Sequence, residues 1–466
     1  MILRPLAAAL TALCLSGCTL MLSDYTRPDL PEVASFKGAE DYLGPQIAQR
    51  FWEGFSDPRL NQAVELALSH NLSLKSAAVT LEKAQLQSEI AGTQRHPTAS
   101  ASLGSDARRA IDYHDKTHKS SSGSFKISYE ADVFGKVSAA VRSADENYRA
   151  SAYDYYAMRL TVISQTAQAY WQYAYARQIL ALKKQDQKDS ERRLKLITDR
   201  YQAGAADLVE ADTARINNLK IESEVISAQN QFEKARTALN TLLGQTADHE
   251  VETADLEKAK LPQFGLEVPL KLLSRRPDLM ESEAKLRKAL ADYDSARLAF
   301  FPDVTLSAGI SSGATTTFAS FFVNPVAALG AAVTLPFLNF HELSLEQESA
   351  LRDEDLAKLD FVSTYINAVQ EVFDGISDIT LAKQGLDNAE RQLRLARENY
   401  SRYFDRYSAG LEQLSDLLDA SDSLRSAESA VLQYRRDLLD AQMALMAAAG
   451  GDTAQAAAQE HPELTE

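Results

Sequence analysis

The chain has 466 residues, of which 45% are hydrophobic and 24% charged, the balance of a folded protein. Its formal net charge is −16. Such an acidic surface repels polyanions and argues against nucleic acid as a partner.

The first element is a targeting segment, residues 1–17. Arg4 supplies a basic start, Leu6 to Leu15 form a short apolar run, and Leu15-Ser16-Gly17-Cys18 follows. A basic stretch, an apolar stretch and small residues before a cleavage point make a secretory signal. The small pair before Cys resembles a bacterial lipobox, which implies that Cys18 opens the mature chain and carries lipid. The two cysteines are Cys14 and Cys18, so cleavage and lipidation leave no thiol for a disulfide. Thr19 is not the Asp of an inner-membrane retention signal, which points to the outer membrane. The next most apolar stretch, 325–340, is too short for a membrane helix and holds Gly330 and Pro336. A crossing of the bilayer would therefore have to use β-strands in a closed barrel.

The remainder divides into two copies of one pattern. Tyr201-Gln202-Ala203-Gly204 recurs as Tyr407-Ser408-Ala409-Gly410, 206 positions later. From Tyr201/Tyr407 to Gly244/Gly450, 12 of 44 pairs are identical. His96-Pro97 matches Phe301-Pro302 at a displacement of 205. Each half then reads alike. A helix (60–93; 279–299) ends near the Pro, which disfavours helix before it. Two strands follow, 99–108 and 124–132, then 304–313 and 327–335. Phe125, Ile127 and Tyr129 alternate with Lys126, Ser128 and Glu130, as a strand with two unlike faces requires. The connecting loops are expected at 112–122 and 315–324.

A very long helix comes next, 138–200, without Pro or Gly. About 60 residues would reach roughly 90 Å. Its partner, 343–407, is interrupted only by Gly375 and Gly385. Gly204 and Gly410 suit the left-handed positions that end helices. After each turn the residues of one seam step by three and four: Ala211, Ala214, Asn218, Ile221, Val225, Ala228, Phe232, Ala235, Leu239 and Leu242 in the first half. Leu417, Ala420, Leu424, Ala427, Val431, Tyr434, Leu438, Ala441, Leu445 and Ala448 do so in the second. These are heptad seams. Their small residues suit a curved helical wall better than a closed four-helix bundle. The resulting division is signal 1–17, lipidated N-terminal segment and belt 18–59, first repeat 60–244, linker and belt 245–277, second repeat 278–450 and tail 451–466.

Several stretches in fixed order resemble the outer-membrane efflux protein family, the TolC-like exit ducts, in its lipoprotein branch serving resistance-nodulation-division pumps. They are Phe51-Trp52 with Asp57-Pro58-Arg59-Leu60; Tyr129-Glu130-Ala131-Asp132-Val133-Phe134-Gly135-Lys136; Tyr201 with Gly204; Leu242-Leu243-Gly244; Leu272-Leu273-Ser274-Arg275-Arg276-Pro277-Asp278-Leu279; Phe300-Phe301-Pro302; and Leu335-Pro336-Phe337. The resemblance covers the whole mature chain. It implies a mainly helical fold with a small β part: a duplicated strand pair plus long helical hairpin. Three copies would form a twelve-stranded β-barrel and a twelve-helix α-barrel, with a mixed belt from residues 25–55, 244–276 and the end of the chain. Where the family continues with an Asp-Gly-Gly-like turn, this chain has Leu338-Asn339-Phe340-His341.

The resemblance places a gate at the hairpin tips. Asp416 and Asp419 align with the family's acidic gate positions, and Asp416 pairs with Glu210 at displacement 206. Gathered around a three-fold axis, such carboxylates would raise one another's pKa and favour cations. They are also the acids that helix starts attract. Glu412 stands where the family has a basic residue, so a salt-bridged latch is not expected there. Tyr201 and Tyr407 are hydrogen-bonding candidates. Ala203, Gly204 and Ala205, with Ala409, Gly410 and Leu411, correspond to the tips that meet a periplasmic adaptor protein, itself joined to an inner-membrane pump. No cofactor is expected beyond the covalent lipid on Cys18. Asp112, His114, Asp115 and His118 cluster in one predicted outer loop and could invite a metal, but the loop is polar and the cluster loose, so no metal site is expected there. Nothing matches a phosphate loop or a nucleophile with its base, so the chain is not expected to be an enzyme. The function implied is an exit duct of a tripartite efflux system for drugs or other small molecules. The alternatives are a type I protein-secretion duct and a non-conducting coiled-coil tether lipoprotein.

Overall fold

The computed structural model describes residues 22–31, 50–109, 117–263, 275–314 and 325–451. Cys14, Cys18, Asp112, His114 and Asp115 lie outside them. Among the described residues seven α-helices and four strands succeed one another: α1 (Pro58–His70), α2 (Leu72–Gly92), β1 (Thr98–Arg108), β2 (His118–Ala131), α3 (Lys136–Gln202), α4 (Leu208–Leu242), α5 (Pro277–Leu298), β3 (Asp303–Ala314), β4 (Val326–Thr334), α6 (Phe340–Ser408) and α7 (Leu414–Ala448). The expected helix over 60–93 is two helices, because Asn71 intervenes. Its side-chain oxygen accepts from the amides of Ser73 and Leu74 and so caps α2. The expected loop at 112–122 is shorter, because Ser120, Ser121 and Ser122 pair with Asp106, Ser105 and Gly104 of β1.

The chain forms two compact units, each drawn from both halves of the repeat: Met1–Leu30, Val79–Ala152 and Glu281–Ser363; and Pro31–Ala78, Tyr153–Met280 and Thr364–Glu466. The first unit holds one antiparallel sheet in the order β1-β2-β3-β4. At its base Phe134 stacks on Phe301 at 4.9 Å, and Phe300 meets Phe340 edge-on at 5.8 Å. The two strand-to-helix joints differ. Asp132 accepts from the amides of Val137 and Ser138 at 2.9 and 2.8 Å and caps α3, with Gly135 at φ 88°. In the second half a 3-10 turn over Pro336–Asn339 leads directly into α6. That turn is how the chain replaces the Asp-Gly-Gly-like sequence. The segment 22–31 is held here as well. The amide and hydroxyl of Ser23 donate to Asp294 at 2.8 and 2.6 Å, and Nη2 of Arg27 donates to both carboxylate oxygens of Glu283 at 3.0 and 2.8 Å.

The second unit has an aromatic core of Trp52, Phe55, Tyr156, Tyr170 and Trp171. Phe55 lies 4.8 Å from Trp171, and the Tyr170 hydroxyl donates to Asp57 at 2.7 Å. The heptad seams are buried as expected at Ala211, Ala214, Asn218, Ile221, Ala228, Ala235 and Leu239 of α4. They are buried equally at Leu417, Ala420, Leu424, Ala427, Val431, Leu438 and Leu445 of α7. Tyr434 departs from the seam and is 38% exposed. Its ring covers Gly385, where a Cβ would collide with it, and Leu445 lies more loosely over Gly375, 3.1 Å from where a Cβ would be. The two glycines of α6 therefore admit side chains of α7 rather than interrupt the helix.

Duplication is visible in how the return helices end. Gly244 and Gly450 have φ of 64° and 95°, and an added Cβ would lie 2.6 Å from the His70 carbonyl oxygen and 2.8 Å from that of Arg275. Beside them the Asn71 amide donates to the Leu242 carbonyl at 2.9 Å. The Arg276 guanidinium donates to the Ala448 carbonyl at 2.8 Å. Different side chains thus satisfy the same orphan carbonyl in each copy.

Candidate functional site: paired hairpin tips and an amphipathic sheet

The sheet has one apolar and one polar face. Phe125, Ile127 and Tyr129 of β2 stand opposite Ile310, Ala308 and Leu306 of β3, and these opposite Ala327, Leu329 and Ala331 of β4. The other face carries Ser102, Ser124, Lys126, Ser128, Glu130, Thr305 and Ser307. Leu329 is 90% exposed, and Phe125, Ile127, Leu306, Ile310 and Val333 are also exposed. A contiguous apolar face of this kind is unfavourable in water and favourable in lipid. Among the described residues no helix is long and apolar enough to cross a membrane. The strand order leaves β1 and β4 as edges, both exposed along their whole length.

The two helical hairpins turn through matched geometry. Gly204 and Gly410 both have φ 73°. The amides of Ala205 and Leu411 return to the carbonyls of Arg200 and Arg406 at 2.8 and 2.9 Å. These are Schellman closures, which need a left-handed residue. Ala203, Gly204, Ala205, Ala409, Gly410 and Leu411 are all exposed. Below the turns, Ile197, Ala211, Ala214, Tyr407, Leu414 and Leu417 form one buried cluster, so the tips of the two hairpins pack together.

Across that cluster the Tyr407 hydroxyl donates to a Glu210 carboxylate oxygen at 2.7 Å. Tyr407 is 4% exposed, and burial, then the Glu210 carboxylate, push its pKa up to about 12. The Arg200 guanidinium lies 5.2 Å from the Tyr407 ring centre, a cation–π contact. Two of the expected gate residues are thus brought together. The others are not. Tyr201 is 40% exposed, Asp416 is half-buried in the first turn of α7, and Asp419 is exposed. An ion pair is present within the second turn itself. Glu412 pairs with Arg406 of the preceding helix at 2.7 Å. Arg406 is exposed and Glu412 half-buried, so the pair adds no more than about 1 kcal/mol.

Sequence reasoning passed over Arg200 and Arg406, although each directly precedes its Tyr-x-x-Gly turn. It also passed over a polar layer above the tip cluster. There Arg425 of α7 contacts Asp186 at 2.7 Å and Asp189 at 3.5 Å on α3, while Lys220 pairs with Asp422 at 2.8 Å. Burial pushes the Asp186 carboxyl up to about 6 against the pull of Arg425 and Lys183. Among the described residues no group of three or more His, Cys, Asp or Glu side chains could hold a metal ion.

The family model for the outer membrane efflux protein matches residues 63–245 and again 268–451. The chain belongs to the outer membrane efflux protein family. It is 31% identical over 423 residues to the pyoverdine export outer membrane protein OpmQ of Pseudomonas aeruginosa, covering 86% of this chain and 87% of that one. It is 25% identical to the probable outer membrane lipoprotein SilC of Salmonella typhimurium, covering 95% and 97%. The crystal structure of the Campylobacter jejuni CmeC outer membrane channel superimposes with a TM-score of 0.86 over 94% of this chain and 98% of that one, at 23% identity. The outer-membrane channel OprN superimposes at 0.84 over 93% and 99%, also at 23% identity. The fold is therefore the TolC-like channel fold, and the chain is an outer-membrane efflux channel. Its family is one of ducts, not of enzymes.

Proposed function

We propose that three copies of this chain close one duct across the outer membrane, as the exit of a tripartite efflux system with a periplasmic adaptor and an inner-membrane pump. The observation that carries the reading is the open sheet. Four long amphipathic strands expose an apolar face and two unpaired edges, an arrangement stable only when the sheet is closed by further strands in lipid. Lipid on Cys18 would anchor each chain to the same membrane, with the Ser23–Asp294 and Arg27–Glu283 contacts fastening the segment behind it. Glu210 of the first hairpin and Tyr407 of the second, with Asp416 and Asp419 beyond the second turn, form the gate that keeps the duct shut. The turns at Gly204 and Gly410 offer the exposed small residues that an adaptor would grip.

Single-channel conductance of the full-length lipidated protein in planar bilayers tests this. The wild type should stay mostly closed, and Tyr407→Phe combined with Asp416→Ala and Asp419→Ala should raise the open fraction at least tenfold. A trimer that conducts in neither form would instead be a tether. Mass spectrometry of the N-terminal peptide checks the lipid on Cys18 separately.

A further inference from the structure

The duplication predicts which residues meet where one copy joins the next. In the first hairpin Thr98 faces Ser128, and in the second Asp303 faces Thr334. Asp303 lies 205 positions after Thr98, and Thr334 lies 206 after Ser128. Thus β1 maps onto β3 at the displacement of Pro97 and Pro302, and β2 onto β4 at that of Tyr201 and Tyr407. The one extra residue of the second half falls between its two strands. The two hairpins therefore have the same internal register.

The β2–β3 ladder joins one hairpin to the next within a single chain: Ser121 faces Ala314, and Ser128 faces Ser307. In a barrel built from repeated hairpins, strand tilt stays uniform only if every hairpin-to-hairpin step has the same stagger. Resting on the trimer reading above, we infer that β4 pairs with β1 of a second copy in the register of β2 with β3. Under the two displacements Ser128–Ser307 becomes Thr334–Ser102, and Ser121–Ala314 becomes Ala327–Arg109. Between them Ala331 faces Ser105, and Val333 faces Leu103.

One feature of the strands supports the assignment independently. Leu103 lies in register with Gly123, on the same side of the sheet as Phe125 and Ile127. Val333 lies in register with Val304, on that same apolar side. Their pairing therefore joins apolar face to apolar face, and Thr334–Ser102 joins the polar faces. A slip of one residue would turn every side chain of the joining strand over. A slip of two would keep the faces but give alternate joints a different stagger, which the β2–β3 ladder opposes.

Disulfide trapping in the full-length protein, purified from outer membranes, decides the register. The pairs are Ser102→Cys with Thr334→Cys, and Ser105→Cys with Ala331→Cys. Neighbouring pairs alternate in geometry, so one of the two is a close, non-hydrogen-bonded pair within reach of a disulfide. The controls are each single variant, and Ser102→Cys with Ala332→Cys and with Ala328→Cys. An in-register pair should give a covalent trimer under mild oxidation, at least tenfold faster than the shifted pairs. Faster trapping of Ser102→Cys with Ala332→Cys would overturn the register. No trapping by any pair in a protein of trimeric mass would overturn the β4–β1 joint itself. Light scattering on the same sample reports that mass. A monomer would sink the trimer reading rather than the register argument alone.

Discussion

The two hairpin tips share a backbone and little else. Both turn at a glycine with φ 73°, and both close with the same return hydrogen bond. Yet Tyr407 is buried and bonded to Glu210, while its counterpart Tyr201 is exposed. Asp207 caps α4 by accepting from the Glu210 amide at 2.7 Å, whereas Gln413, at the same place before α7, makes no side-chain cap. Arg200 lies over the Tyr407 ring, and Arg406 pairs with Glu412. The same asymmetry runs upward: Asp186 and Arg425 form a buried ion pair, and the repeat-related positions hold Gln392 and Leu219. Duplication preserved what the backbone requires and left free what the side chains do.

The largest effect should come where the copies remain most alike. Gly244→Ala and Gly450→Ala each combine a left-handed backbone with a carbonyl in the way, and should each cost about 3 kcal/mol in chemical denaturation. Gly204→Ala and Gly410→Ala meet nothing within 4 Å and should cost about 1 kcal/mol. Equal losses at all four glycines would remove the distinction between packed and open turns.

The ion pair should give the next largest effect. Asp186 is held at about 6, above its unfolded value near 3.8, so the folded chain binds this proton more tightly. The stability it contributes is complete below about pH 4 and is lost as pH rises through 6, by roughly 2 kcal/mol. Asp186→Asn should flatten the dependence of the unfolding midpoint between pH 4 and 7. Gln392→Ala should leave it unchanged.

Tyr407→Phe should cost about 1.5 kcal/mol, because it removes a hydrogen bond to a carboxylate, and should raise channel open probability. Tyr201→Phe should change stability by under about 0.5 kcal/mol and leave conductance alone. Equal effects of the two would mean that the tips are functionally equivalent. The smallest effect concerns the caps. Asp207→Ala should lower stability by about 1 kcal/mol, and Gln413→Asp should raise it by about 0.5 kcal/mol.

Much of the fold was legible in the residues. The strand pairs, the long helices and both glycine turns follow from period, Pro97, Pro302, Gly204 and Gly410. The break at Asn71 was missed because a capping Asn looks like any polar residue on a helix face until the Leu242 carbonyl is seen beside it. Gly375 and Gly385 read as interruptions, because what they admit, Leu445 and Tyr434, comes from another helix. Of the proposed gate residues, Glu210 and Tyr407 meet, 197 positions apart. Tyr201 carries the same motif and does not join them.

The sequence by itself determined the duplication, the two displacements and the amphipathic strands. These are properties of local order: period, turn chemistry and spacing survive without any knowledge of neighbours. Only the tertiary structure decided which tyrosine is buried, that Glu412 pairs with Arg406, that Asp186 shares a layer with Arg425, and that both hairpins keep one register. Those depend on residues brought together from distant parts of the chain, and similar motifs acquire different partners when different side chains pack against them.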